Sequence, residues 1–457
     1  MDLEYIKRAW QGSQAARAKA ESKRKMYQHD WTDQLKVEIL RLFLAQNAEK
    51  LNVRADTTLN MMRSVIDELA AIYSRPVSRR IGETELVLSA EVDMAFDLAS
   101  KWTFCMGETL IRPLWLGDRI GVDVVPRDRF HAIPDPRDRM KLRVALIEHR
   151  NRDGRTSKIE LWTDDVAVMV DASFKVLPRL DAEGNPLLDA EGKPDVSNPY
   201  GRIPWLVAHN RYPSSGFWDD TESDALVAAS LAIGVGMTDH AHLRHLQSYK
   251  QLAIRTDGKK GSSIAKLASD PASVLLLRGA AANAQVLDMQ ADLRGHLDTL
   301  LTAADQVFHS YGIRPDVVKG TKMALSGYAL KLKLHKQQMV WERLRNLWRL
   351  WEREFWAAAR DVLYVDSGGA MVVPEGDLHI EYPEVGPGRD PKEIAEVTRL
   401  DMAAGVISRA EALRLRRYTP EQIEQIEGEV IDEQVVAAAM QAPPSFPGDG
   451  PPEEVPA

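Results

Sequence analysis

The chain has 457 residues, 44% of them apolar and 28% charged, which is enough to bury a core spread over about three domains and too apolar for a chain that is disordered throughout. Its 59 Lys and Arg stand against 67 Asp and Glu, a formal net charge of -8 that argues against a strongly basic nucleic-acid coat. Cys105 is the sole cysteine, which excludes an internal disulfide framework and a cysteine zinc cluster and fits assembly in a reducing compartment.

The first 30 residues alternate charge and polarity with no apolar stretch, so no secretory signal is expected. From about Trp31 to Tyr73 the apolar positions Leu35, Ile39, Leu42 and Phe43, then Met62, Val65, Ile66, Leu69, Ile72 and Tyr73, recur at helical spacing. Ser74-Arg75-Pro76 ends that pattern. A second helix is predicted over about Ala90 to Cys105. Short alternating or apolar runs follow at Thr109 to Leu116, Ile120 to Val125, Val144 to His149, Ile159 to Trp162 and Val166 to Val170, with Asp164-Asp165 as a hairpin turn. Their spacing predicts an antiparallel β-rich region. Two related turn sequences, Asp181 to Pro186 and Asp189 to Pro194, read as a loop or hairpin at the edge of that sheet, with Ile203 to His209 as its next strand.

From Thr221 the character changes to long helices. The first is expected from the Thr221-x-x-Asp224 cap to about Ile254, and its mostly apolar run Ala225 to Met237 is too short to cross a bilayer. A small mixed insert holds two β-like runs, Val274 to Leu277 and Gln285 to Leu287. A second helix spans about Ala291 to Tyr311. A loop then reaches Ser326, and a third helix runs to about Leu363 with Val340, Leu344, Leu347, Trp348, Trp351 and Phe355 at helical spacing. Short helices are expected between Pro391 and about Met440. The Pro-rich residues 441–457 are expected to be disordered. Residues 418–457 carry nine acids and no Lys or Arg, so the rest of the chain is nearly neutral.

No catalytic constellation is found. Gly258-Lys259-Lys260-Gly261-Ser262-Ser263 has the residue types of a phosphate loop without its spacing. His240 and His242 point about 200° apart on a helix, which leaves only His242 and His245 on one face, so solvated or interface histidines are expected. Cys105 is expected to be a buried small side chain. No enzyme activity, cofactor or metal is expected. Trp341, Trp348, Trp351 and Trp356 on the third helix are candidates for core or for a subunit interface. Lys319, Lys322, Lys331 and Lys333 around the loop could touch phosphates, while an ordinary solvated loop is the plainer reading.

The order of these elements and the wording at four joints resemble the portal protein, or head-to-tail connector, of tailed double-stranded DNA bacteriophages, in its siphophage type. The joints are Val65-Ile66-Asp67-Glu68-Leu69 with Ser74-Arg75-Pro76-Val77, Tyr200-Gly201-Arg202-Ile203-Pro204-Trp205, Ser326-Gly327-Tyr328-Ala329-Leu330-Lys331, and Ala404-Gly405-Val406-Ile407-Ser408. The resemblance implies an α+β portal fold that forms rings. In it, residues 1–222 would be a wing of N-terminal helices and antiparallel β structure. Residues 223–254 and 291–311 would be stem helices, and 255–290 a small α/β clip with Lys259, Lys260 and Lys266 as contact candidates. Residues 312–325 would be a tunnel loop in which Lys319, Gly320, Thr321 and Lys322 face DNA. Residues 326–389 would be a long kinked helix, entered through Ser326, Gly327 and Lys331, with its return to the wing; 390–440 would be a helical crown, reduced by the short Gly- and Pro-containing stretch 364–390.

The implied function is a homo-oligomeric ring, usually of twelve copies, at one capsid vertex, passing double-stranded DNA without sequence specificity. Its implied partners are the large terminase subunit, the head-completion adaptor, and the major capsid and scaffolding proteins, with no membrane; it would assemble in the host cytoplasm and reside in the virion. The alternatives are a capsid-associated minor head protein without a channel and a metal-dependent nucleic-acid enzyme.

Overall fold

The computed structural model describes residues 2–42, 55–86, 88–138, 140–151, 154–178, 195–212, 216–218, 223–247, 251–256, 275–278, 283–287, 292–313, 327–383, 399–400 and 402–405, with positions 186, 188, 192 and 408. Two compact units divide the chain, Met1–Gly386 and Pro387–Ala457. Most of the second, including the expected crown and tail, lies outside the described residues.

The polar N-terminus forms two helices that its sequence did not announce. In α1 (Leu3–Gly12), the Asp2 carboxylate accepts from the Glu4 and Tyr5 N–H groups at 3.1 Å, and Ile6 and Trp10 share the buried face. In α2 (Gln14–Tyr27) the charges act as clamps. Arg24 grips the buried Asp128 with two bonds of 3.0 and 2.9 Å, Arg17 reaches Glu148 at 3.3 Å, and Lys19 and Lys23 hold Asp224 at 2.6 and 2.5 Å. Next come α3 (Thr32–Leu42) and α4 (Met61–Leu69), which give Leu35, Ile39, Val65, Ile66 and Leu69 to the main core.

The hairpin β1 (Ser78–Ile81) and β2 (Thr84–Glu85) precedes α5 (Ala90–Met106), which ends at Gly107 with φ 95°, a conformation that costs glycine little. The strands β3 (Glu108–Trp115), β4 (Ile120–Pro126), β5 (Phe130–Pro134), β6 (Leu142–Arg150), β7 (Thr156–Trp162), β8 (Ala167–Val170), β9 (Val176–Leu177) and β10 (Leu206–His209) follow. They form an antiparallel five-stranded sheet in the order β5-β6-β7-β8-β9 and a second sheet in the order β10-β3-β4. Both faces of the larger sheet are covered, because alternate residues serve different cores. Val144, Leu146, Ile159, Leu161, Val168 and Val170 pack under Ile6 and Trp10 of α1. Ala145, Ile147, Phe130, Ala132, Trp162 and Ala167 instead meet Ile203, Trp205, Val207 and Phe217.

The remaining elements are α6 (Ser223–Gln247), β11 (Gln251–Thr256), β12 (Leu275–Arg278), β13 (Asn283–Leu287), α7 (Leu293–Ser310), α8 (Gly327–Asp366) and β14 (Leu378–Glu381). At 40 residues, α8 is about 60 Å long. Two expectations need correction. The helix expected to reach Ile254 stops by Gln247, and Gln251 to Thr256, whose alternation suits a strand, is β11. The strand near Ile203 to His209 starts at Leu206 and pairs with β3, so it belongs to a different sheet from β8. Past α8, β14 pairs with β1 across some 300 residues of sequence and makes the sheet β14-β1-β2.

Beneath that sheet lies a buried ionic anchor. Arg79 of β1 is 1% exposed and Glu352 of α8 is 0% exposed. The Arg79 Nε donates to Glu352 Oε2, its Nη2 to Oε1 at 3.3 Å, and its Nη1 to Asp93 of α5 at 2.7 Å. The hydroxyls of Tyr73 and Tyr382 donate to the same Glu352 Oε1 at 2.7 and 3.0 Å. Burial disfavours the Arg79 cation, yet Glu352 outweighs it and the guanidinium pKa is raised; both tyrosines are pushed well above the ordinary phenol value by burial and by Glu352. Glu352→Ala strands the buried guanidinium and is expected to cost about 3–5 kcal/mol of unfolding free energy, while Arg79→Met combined with Glu352→Leu recovers most of that loss. Chemical denaturation of the three proteins measures both.

Candidate functional site

The part of the molecule most unlike an ordinary enclosed domain is the hairpin of α6 and α7 with the three-stranded sheet that separates them in sequence. Small side chains recur along α6, and Gly236 is the one that gives room to the other arm. Ala225, Ala228, Ala229, Ala232, Gly234 and Gly236 lie along α6. A Cβ on Gly234 would meet the Trp31 ring at 2.9 Å and Leu35 at 3.1 Å, and one on Gly236 would collide with Leu300 of α7. Polar contacts fix the base of the hairpin. Ser230 Oγ accepts from the Met62 N–H at 3.0 Å, and Thr238 Oγ1 accepts from the Asp56 N–H at 2.9 Å while donating to the Gly234 carbonyl at 2.8 Å. On α7, Ala304 packs against Met61 and Ile233, and the Asp292 carboxylate caps the first turn by accepting from the Gly295 N–H at 2.9 Å. At the ends of the arms β11 pairs in parallel with β12 and antiparallel with β13.

His240 of α6 and His296 of α7 stack across the hairpin with ring centroids 5.7 Å apart and planes 4° apart. Rings stacked in parallel planes cannot both aim a nitrogen lone pair at one ion between them, so this pair is not a ready metal site. Among the described residues no group of three His, Cys, Asp or Glu side chains could hold a metal. His296 was invisible to helix arithmetic on His240, His242 and His245 because it arrives from the other arm. Cys105 is fully buried, and burial raises its thiol to about 12, far from a reactive thiolate.

The four tryptophans require a correction. Trp341, Trp348, Trp351 and Trp356 are 4%, 1%, 1% and 2% exposed, sealed in the core of their own chain and not presented to a second subunit. Trp348 packs edge-on against Tyr73 and Phe96, Trp351 Nε1 donates to the His209 carbonyl at 3.1 Å, and Trp341 Nε1 donates to the Glu68 carbonyl at 3.2 Å. The apolar face of α8 is wide because three layers of this chain converge on it. Gly327 and Lys331 lie in the first turns of α8. Ser326, the loop residues Lys319, Gly320, Thr321 and Lys322, and Lys259, Lys260 and Lys266 lie outside the described residues.

A second cluster, missed in the sequence, surrounds Trp218. The Arg127 guanidinium lies 3.9 Å from the center of its ring and 3.5 Å from the Glu108 carboxylate, and His131 stacks on the same indole at 5.5 Å. Burial lowers Arg127 to about 10 despite Glu108. Burial, reinforced by Arg127, holds His131 at about 4 and His209 at about 3, so both imidazoles are neutral in the folded chain. Arg127, Glu108 and His209 of this cluster are buried, while His131 and Trp218 are half-buried. Among the described residues no helix is long and apolar enough to cross a membrane.

No family model matches the chain, and no curated protein matches it. Solved structures similar to it include the neck of an empty GTA particle treated with C6 symmetry, at 12% identity and a TM-score of 0.39, covering 84% of this chain and 94% of that one. Another is the neck of a native GTA particle treated with C12 symmetry, at 13% identity and a TM-score of 0.37, covering 83% and 92%.

Two outcomes follow from the packing and electrostatics. Gly234→Val forces a branched side chain against Trp31 and Leu35 and is expected to destabilise the chain by about 1–3 kcal/mol, with the earliest loss of amide protection where α6 meets α3. The depressed histidines make stability fall with acid. The unfolded chain takes up protons as the pH drops below 6.5, whereas the folded one resists until about 4 at His131 and about 3 at His209. Stability from these groups is therefore complete above pH 6.5 and is lost toward pH 3. The slope of unfolding free energy against pH in that window is expected to flatten in His131→Gln.

Proposed function

We propose that the chain is the subunit of a portal ring, the channel at one capsid vertex through which double-stranded DNA is packaged and later leaves. The observation that carries this reading is the order of parts along the chain. A β-containing body leads into α6, a small mixed sheet sits between α6 and α7, and residues 314–326 join α7 to the long α8 that returns into the body core. That is the order wing, stem, clip, stem, tunnel loop and long helix implied by the joints in the sequence. The lack of phosphate-loop spacing in the sequence supports reading the chain as a conduit and not as a motor or enzyme; the ATPase would be the terminase that docks during packaging, replaced afterwards by the head-completion adaptor. The shell and scaffolding proteins would surround the body of the ring, assembly would take place in the host cytoplasm, and the ring would number twelve copies in the particle.

A conduit must hold DNA without trapping it. Each phosphate neutralised by Lys or Arg adds affinity independent of sequence, and ring symmetry multiplies every such contact. A nearly neutral body with Lys319 and Lys322 close together in the sequence, in the segment expected to be a loop, suits sliding. Electron microscopy of the purified chain is expected to show rings with a central hole; particles without a hole under assembling conditions would favour a minor head protein. Lys319→Ala with Lys322→Ala is expected to leave ring formation intact and to alter DNA packaging or retention with little dependence on sequence, whereas unchanged packaging and retention over a range of salt would remove these lysines from the DNA path.

A further inference from the structure

The ring reading leaves open what joins neighbouring subunits once the tryptophans are assigned to the core. The sheet β14-β1-β2 has unlike flanks. On the β14 side, Arg349, Arg353, Leu378, His379, Ile380, Glu381 and Tyr382 line a groove of about 550 Å³ between α8 and the strand. Arg353 is exposed and makes no ion pair among the described residues, and Arg349 lies over the Tyr382 ring with its guanidinium 5.5 Å from the ring center. On the β2 side the hairpin tip Gly82-Glu83-Thr84-Glu85 is exposed throughout, and neither Glu83 nor Glu85 has an ion-pair partner among the described residues.

Backbone register completes the contrast. The Gly82 N–H donates to the Asp377 carbonyl at 3.1 Å, which extends the β1–β14 ladder by one pair. In an antiparallel ladder the bonded and non-bonded pairs alternate, so Leu378 and Ile380 direct their N–H and C=O groups away from β1, into the groove. The Leu86 N–H donates to the Arg79 carbonyl at 2.9 Å, and by the same alternation Glu85 directs its backbone groups outward from β2.

We propose that the acidic β1–β2 hairpin tip of one copy seats in the Arg349–Arg353 groove of the next copy, with its extended backbone against the outward edge of β14. The argument for a second copy as occupant is complementarity. One flank offers two acids without ion pairs among the described residues, Glu83 in the turn and Glu85 on β2, and the other offers Arg349 and Arg353 beside outward-directed strand groups, with Glu381 in the same lining already held by Arg80. The two surfaces differ, so the contact is heterologous, the kind that closes into a ring when its rotation closes. This inference rests on the ring reading and specifies its subunit contact.

The test uses full-length chains in two charge-reversed forms, Arg349→Glu with Arg353→Glu, and Glu83→Lys with Glu85→Lys, scored by mass photometry and electron microscopy. Each form alone is expected to be folded, with a thermal midpoint near that of the natural chain, and to fail to form rings, because like charges meet at every contact. Mixed in equal amounts they are expected to form rings in which the two forms alternate, since every contact is again between opposite charges. Should the paired arginine change unfold the chain through Tyr382, Arg353→Glu alone serves, with at least a tenfold loss of ring yield expected. Rings of the natural chain that are indifferent to both reversals overturn this contact and leave the portal reading standing. Rings lost in the arginine form but retained in the glutamate form give the groove to another acidic ligand and also overturn it. A natural chain that stays monomeric in all conditions ends both.

Discussion

A guanidinium and a carboxylate removed from water survive in an apolar interior only together, and the buried pair of Arg79 and Glu352 places that demand on segments nearly 300 residues apart. Arg79 comes from β1, Glu352 from the middle of α8, Asp93 from α5, and the two tyrosine hydroxyls from either side. No element can shift far without stranding a charge. The aromatic rings around the pair, Tyr73, Phe96 and Trp348, exclude water from it and strengthen the attraction that holds it. The pair thereby sets how the long helix enters the body.

The same economy of charge runs through the N-terminal region. The cations of α2 are directed inward to Asp128, Glu148 and Asp224, where partial burial makes each pair far more selective of geometry than a surface pair would be. Glu160 shows the opposite case of a buried acid made comfortable: burial would raise its pKa, but His149, Arg112 and the Trp162 indole N–H together lower it. The exposed charges on the flanks of β14 and β2 differ from these inward pairs in lying beside open strand edges.

For a proposed conduit this distribution has a mechanical sense. Rigid packing around α8 would let the hairpin of α6 and α7 be carried as a unit, and Gly236 of α6 leaves room for Leu300 of the other arm. Weak, sequence-independent contacts confined to one loop would leave DNA free to move, while the firm contacts belong to the protein's own folding and assembly.

The sequence by itself determined the elements whose signal is local. The antiparallel runs from Thr109 to Val170, the helix after Ala90, the arms on both sides of the small sheet and the long Trp-bearing helix all follow from periodicity, caps and turn residues within a few positions of one another. It also set the near-neutral body and the acidic C-terminal stretch. Tertiary structure alone decided where those elements go. β14 is four residues whose partner lies at Ser78 to Ile81, and nothing within ten residues of it shows that the pairing exists. The tryptophan face could equally have met a second subunit until α5, β3 and β10 were seen to cover it. The partners of Arg17, Arg24 and Arg79 are not legible in the sequence because their acids are remote in it, and His296 reaches His240 only when the hairpin closes. Periodicity reports which face of an element is buried; only the long-range packing, paid for by the entropy of bringing distant segments together, determines what buries it.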